Sequence, residues 1–176
     1  RPEDAMAIRT DTPDHHDAEL ALRLYELRRE KELRKARSMI GDFLDGADAD
    51  AVDAIRQYGH KKNAHFRQAT SYWEMAASFV NRGILHPDVY LDTCGEGLYS
   101  FSVLKPHIDR IRESGSPRFF LQTERLVAEH VGCRERVEQV DAARAAYAAR
   151  VAAEEAARKV AKAAKKAKPK AKSGAT

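Results

Sequence analysis

Apolar residues in this chain recur at steps of three and four, and nowhere do they alternate over a length that would make a strand. Steps of three and four gather side chains on one face of an α-helix, whereas a half-buried strand needs a period of two. The spacing therefore predicts an all-α protein: an irregular helical bundle followed by a long Ala-rich C-terminal helix and a Lys-rich tail. The 176 residues suit one domain with an appendage.

Residues 1–13 are polar and carry Pro2 and Pro13, so they are expected to form a flexible N-terminus. Met6 is a candidate for the true start. A helical body is expected over residues 14–132. Asp14 is placed to cap its first helix. Leu20, Leu24 and Leu27, then Leu33, Ala36, Ile40 and Phe43 after a one-residue phase shift, read as one helix of about 25 to 30 residues. Within its charged block, Glu30 and Arg34 have the i,i+4 spacing of an ion pair. A short helix should run over residues 49–58, entered from Asp48 and ended by Gly59. The next is the centre of the expected core, with Phe66, Ala69, Trp73, Ala76 or Ala77, and Val80 on one face and Asn81-Arg82-Gly83 as its stop. His86-Pro87-Asp88 should start another helix, with Pro87 in its first turn. Gly95-Glu96-Gly97 reads as a break. Leu104, Ile108 and Ile111 mark a helix that Pro106 should kink near Lys105. After a loop over residues 114–117, Phe119, Phe120, Leu126, Val127 and Val131 mark a further helix. The expected core residues are Phe66, Trp73, Val80, Leu104 and Ile108.

A long Ala-rich helix is expected over residues 133–167, with Val137, Val140, Tyr147 and Val151 at helical steps. Sixteen of the 36 residues from Asp141 onward are alanine, the strongest helix former but one that buries little surface. Such a helix should project from the body or pack weakly on it. Pro169 should stop it, leaving 168–176 as a basic disordered tail. The net charge of +4 hides two opposed parts. Arg158, Lys159, Lys162, Lys165, Lys166, Lys168, Lys170 and Lys172 give the last nineteen residues +8 and leave −4 for the rest. These eight are the expected polyanion-binding residues. They would act by releasing counterions, with steep salt dependence and little sequence choice. No aromatics interleave with them, so base stacking is not offered.

Several kinds of chemistry find no pattern to carry them. His15 with His16, and His60 with His65, lack the i,i+4 spacing that sets two imidazoles on one helical face. The expectation is surface histidines and no metal. The Gly-x-Gly at 95–97 lacks a third glycine and a preceding strand, so no dinucleotide or phosphate cofactor is implied. Cys94 and Cys133 are two thiols without CxxC spacing, expected to be idle in a reducing compartment. Glu74 sits mid-helix beside Trp73, where a carboxylate is either functional or paired with a cation such as Arg110 or Arg112. No catalytic residues are assigned, and the expectation is a protein that is not an enzyme. An enzyme built around Glu74, His107 and Arg110 is the weakest of three readings. No run of eighteen apolar residues and no signal peptide is present, which points to a cytoplasmic protein without a transmembrane segment.

The motifs Lys35-Ala36-Arg37, Tyr72-Trp73-Glu74-Met75-Ala76, Val80-Asn81-Arg82-Gly83-Ile84-Leu85 and Leu104-Lys105-Pro106-His107-Ile108, with Arg110 and Arg112 behind them, occur in that order. Over residues 20–115 this order resembles the domain-of-unknown-function 4760 family of small bacterial helical proteins. The resemblance implies an all-α fold and carries over no catalytic residues. Many such relatives have an N-terminal membrane helix.

The function expected from the residues is a non-enzymatic interaction or scaffold protein, or an accessory subunit. Its body or long helix would dock a protein partner or a second copy, and its basic tail would attract a polyanion, either nucleic acid or an anionic membrane surface. The alternative is non-sequence-specific nucleic-acid binding through the tail.

Overall fold

The computed structural model describes the backbone of residues 8–167 and the side chains of residues 8–163. Among these residues there are helices and no strands, so the fold is all-α. Of the described residues, 8–140 form one compact unit and 141–167 a second.

Helix α1 (His15–Arg29) starts at a reciprocal cap. Asp14 Oδ1 accepts from the backbone N–H of His16 at 2.8 Å and of Asp17 at 3.2 Å, and Asp17 Oδ2 accepts from Asp14 N–H at 2.9 Å. The single long helix expected here is in fact two. Glu30 leaves helical geometry at φ −55 and ψ 140, and α2 (Lys31–Met39) begins behind it. The phase shift between Leu27 and Leu33 is the reason: two stripes out of register cannot both face one core along a straight rod. Leu27 is exposed, and α2 buries Leu33, Ala36 and Met39. Glu30 does not pair with Arg34. Its carboxylate accepts from the N–H groups of Glu32 and Leu33 at 2.8 and 2.9 Å, capping α2, and Arg34 donates to the Arg29 carbonyl. A wider π-helical turn, Ile40–Leu44, buries Ile40 and Leu44 and leaves Phe43 outside.

Helix α3 (Ala49–Arg56) is capped by Asp48 and is two residues shorter than expected. Helix α4 (Asn63–Asn81) runs through the centre and packs most extensively against α2 and α8 (Leu121–Glu129). It ends where the sequence placed its stop. Gly83 takes φ +67, its N–H reaches the Val80 carbonyl, and the Ile84 N–H reaches the Phe79 carbonyl, which is the Schellman arrangement. Helix α5 (Pro87–Thr93) carries Pro87 at its first position and is capped by the His86 ring. The expected break falls at Cys94, between α5 and α6, and the Gly-Glu-Gly segment itself forms the first turn of α6 (Gly95–Leu104). Pro106 lies in a 3-10 turn, Lys105–His107, between α6 and α7 (Ile108–Glu113), at the expected kink. Phe119 and Phe120 precede α8 rather than belonging to it, and Phe120 takes φ +51.

Phe66, Trp73, Val80, Leu104 and Ile108 are all buried. Trp73 Nε1 and the Tyr90 hydroxyl are buried without hydrogen-bond partners among the described residues, so apolar packing holds this centre. Helix α9 (Val131–Ala167) sends Cys133 and Val137, one turn apart, into the core of the first unit. From Asp141 onward α9 exposes Tyr147 and Val160.

Within residues 8–13, part of the expected flexible N-terminus, two side chains contact the folded unit. Ile8 packs on the core, and Arg9 Nη1 pairs with the fully buried Asp17 at 3.1 Å. The first seven residues, including Met6, lie outside the described residues.

Candidate functional site

A groove of about 670 Å³ lies between α1 and α5. Ala21 and Leu24 from α1, with Tyr72 from α4, form part of its apolar lining, and Leu22 and Tyr25 rise beside it. Leu22 is 64% exposed and Tyr25 46%, which is unusual for neighbours on one helix of a folded domain. The Arg28 and Arg29 guanidiniums lie 4.8 and 5.9 Å from the Tyr25 ring centroid. Arg28 also donates to the Thr93 carbonyl at 3.0 Å, tying the end of α1 to the end of α5. The Tyr72 hydroxyl donates to the Leu24 carbonyl at 2.6 Å, and burial pushes its pKa up to about 12.

One buried carboxylate sets the spacing of the two groove walls. Asp17 Oδ1 accepts from the His86 N–H at 2.7 Å and from Arg9, while Oδ2 caps its own helix. His86, also buried, has Nε2 2.6 Å from the Asp11 carbonyl, and its Nδ1 accepts from the Asp88 N–H at 3.2 Å. Nε2 therefore carries the proton and donates to Asp11. Sequence reasoning missed Arg9, Asp17 and His86 as a unit. The signal available was the Asp-x-x-Asp capping box at 14–17.

Among the described residues Glu74 has no ion-pair partner. Its carboxylate accepts from the backbone N–H groups of Gln122 and Thr123 at 2.5 and 3.1 Å and from the Thr123 hydroxyl at 3.0 Å. It caps α8 from another helix, because Phe120 at the cap position offers no acceptor. Arg110 instead pairs with Asp53 at 2.6 Å and Asp50 at 3.1 Å, and Arg112 with Glu124 at 2.8 Å. Glu74→Gln is expected to lower stability by about 1 to 2 kcal/mol, because a charge-assisted cap becomes a neutral one. Urea denaturation measures this, and an unchanged midpoint contradicts it.

The histidine pairs are placed for separate tasks. His60 Nδ1 accepts from Lys62 N–H at 3.2 Å, and His65 faces Glu32 at 3.5 Å. The rings of His15 and His16 lie side by side, with centroids 4.0 Å apart. Among the described residues no group of three or more His, Cys, Asp or Glu is placed to hold a metal ion. Cys94 and Cys133 are both buried and unpaired. Burial raises both thiols, Cys133 to about 12, with Thr93 opposing the rise at Cys94. For Cys133 that lowers the thiolate fraction at neutral pH roughly a thousandfold. A disulfide-exchange dye should thus titrate the two thiols only after unfolding; rapid titration of the native protein contradicts their burial.

Arg158, Lys159 and Lys162 are exposed on α9. Lys165 and Lys166 continue the helical backbone, and Lys168, Lys170 and Lys172 lie outside the described residues. No described helix is long and apolar enough to cross a membrane.

The class these observations define is an all-α protein with an apolar groove on an eight-helix segment that precedes a long Ala-rich helix. A model of the domain of unknown function DUF4760 matches residues 13–130, and the chain belongs to that family. The match spans α1 through α8 and ends at the residue before α9. Comparison with curated proteins and with solved structures finds no match.

Proposed function

We propose that this chain is a non-enzymatic helical interaction or scaffold protein. Its folded body associates with a second copy through the α1–α5 groove, and its Lys-rich end attracts polyanions. The observation that supports the first part is the exposed apolar pair, Leu22 and Tyr25, standing beside an apolar groove on the same helix. A surface that offers both ridge and groove is self-complementary, which is what a two-fold interface requires. Charge supports the same occupant. Helix α1 carries the exposed Glu19 toward one end, and the half-buried Arg28 and exposed Arg29 at the other. In an antiparallel pair centred between Leu22 and Tyr25, Glu19 of one copy comes level with Arg28 and Arg29 of the second, and Leu22 with Tyr25.

The exposed Arg158, Lys159 and Lys162 favour a second reading, in which non-sequence-specific nucleic-acid binding is the main activity. One experiment separates the parts. Replacing Arg158 and the seven lysines that follow with Gln keeps helix propensity and removes the charge. Binding to duplex DNA at low salt is expected to disappear in that variant while the oligomeric state is unchanged. DNA binding that persists without the basic residues contradicts a tail-only polyanion site.

A further inference from the structure

We infer that the face shared by α4 and α8, remote in chemistry from the apolar groove, binds an extended acidic peptide segment of a partner protein. This goes beyond the association proposed for α1 and does not depend on it. Arg67, Ser71, Glu74 and Ser78 of α4, with Arg82 at its C-cap, follow at steps of four, three, four and four, a single polar stripe. Two cavities of about 320 Å³ each lie along it. One includes Arg67 in its lining and the other Arg82, and Glu74 and Arg118 line both. The two cavities are therefore neighbours along one trough.

Several other arginines of the body have acidic partners. Arg37 pairs with Glu96, Arg56 with Asp53, Arg110 with Asp50 and Asp53, and Arg112 with Glu124. The guanidinium groups of Arg67, Arg82 and Arg118 have no ion pair or hydrogen bond among the described residues. Three unpaired guanidiniums gather around one trough in a chain whose residues 1–157 carry a net charge of −4. Glu74 is the carboxylate in the trough's lining, and its oxygens are taken up by two backbone N–H groups and the Thr123 hydroxyl. Its charge is met by the N-terminal end of α8, so it does little to repel an anion.

Length selects the occupant. From Arg67 to Arg82 the helix rises roughly 22 Å at about 1.5 Å per residue. An extended peptide covers that span with about six or seven residues. Arginine at both ends and at the shared wall suits carboxylates repeated along such a peptide, since the guanidinium fork matches a carboxylate's two oxygens.

The test uses fluorescein-labelled hexaglutamate, read by anisotropy at low ionic strength, with the full chain whose eight C-terminal basic residues are changed to Gln. That variant removes the tail as a competing site. The expected result is saturable binding that Arg118→Ala weakens about tenfold and that the Arg67→Ala, Arg82→Ala, Arg118→Ala combination abolishes. Because these side chains have no partners, the combined variant should melt with the parent. Amide shifts at Ser78 and Gln122 on adding hexaglutamate report the site without any substitution. Absent binding, binding undiminished without the three arginines, or tighter binding of a six-nucleotide single strand at the same arginines each overturns the proposal. A Leu22 variant that dissociates copies should leave hexaglutamate binding in place, so loss of α1 association and loss of this site are separable.

Discussion

Asp17→Ala is expected to lower the stability of the protein by about 3 kcal/mol. The carboxylate is fully buried, and three groups depend on it. The His86 N–H, 2.7 Å away and buried with it, has no alternative acceptor once the carboxylate is gone. Asp14 N–H loses the reciprocal half of the α1 cap at 2.9 Å. Arg9, with a side chain 21% exposed, keeps Asp11 as a partner but loses its inward anchor. Asp17→Asn retains an acceptor and should cost less. Urea denaturation followed by far-UV circular dichroism gives both values, and a loss below about 1 kcal/mol for Asp17→Ala contradicts the assigned role. The same substitution should free the segment before Asp14, seen as faster proteolysis there, because Asp11 is held to His86 on the far side of the same node.

Gly97→Val is expected to cost about 3 kcal/mol and to disturb the near-UV signal of the lone tryptophan. A Cβ at this position would lie 2.8 Å from the Tyr90 hydroxyl and 3.0 Å from Trp73 Cε3. Both rings are fully buried and have no room to retreat. Gly97→Ala meets the same atoms but gains roughly 1 kcal/mol of helix propensity, so its net cost should be smaller. Gly95, two residues earlier in the same turn, has nothing within 4 Å of its would-be Cβ. Gly95→Ala should therefore be neutral or mildly stabilising. Equal costs at the two glycines would contradict the reading of Gly97 as a close-packing residue.

The contrast between these two glycines shows where sequence reasoning stops. Gly-Glu-Gly looks like a helix break because glycine lowers helix propensity, and propensity is a local quantity. Whether a Cβ would strike Trp73 depends on a helix more than twenty positions away, which no local pattern records. The Schellman stop at Gly83, the cap at Asp48 and the kink at Pro106 were legible because each is settled within a few residues. The break at Glu30 was half legible. The stripe's phase shift was visible between Leu27 and Leu33, but an acidic residue read as an ion-pair partner proved to be a cap. Glu74 shows the same limit. Its position beside Trp73 marked it as a carboxylate in need of a partner, yet the partner was the backbone of α8, which has no side-chain signature. The arginines proposed for it, Arg110 and Arg112, were taken by nearer acids on other helices.

The charge asymmetry has a parallel in the family match. The DUF4760 model ends at residue 130, so the net-negative helical segment is the family's part, and the Ala-rich helix with its eight terminal basic residues lies outside it. The basic character of the whole chain thus says little about the folded segment, whose own surfaces are the apolar groove and the arginine-lined trough.

Self-association through α1 is tested most directly by reciprocal charge exchange, read by sedimentation equilibrium. The parent chain should sediment as a dimer. Glu19→Arg alone and Arg29→Glu alone should each shift it toward monomer, because each places like charges level across the antiparallel pair. The two changes together should restore the dimer, since they swap the signs without altering the count. A parent that sediments as a monomer, or a double variant no more associated than either single one, would contradict the account.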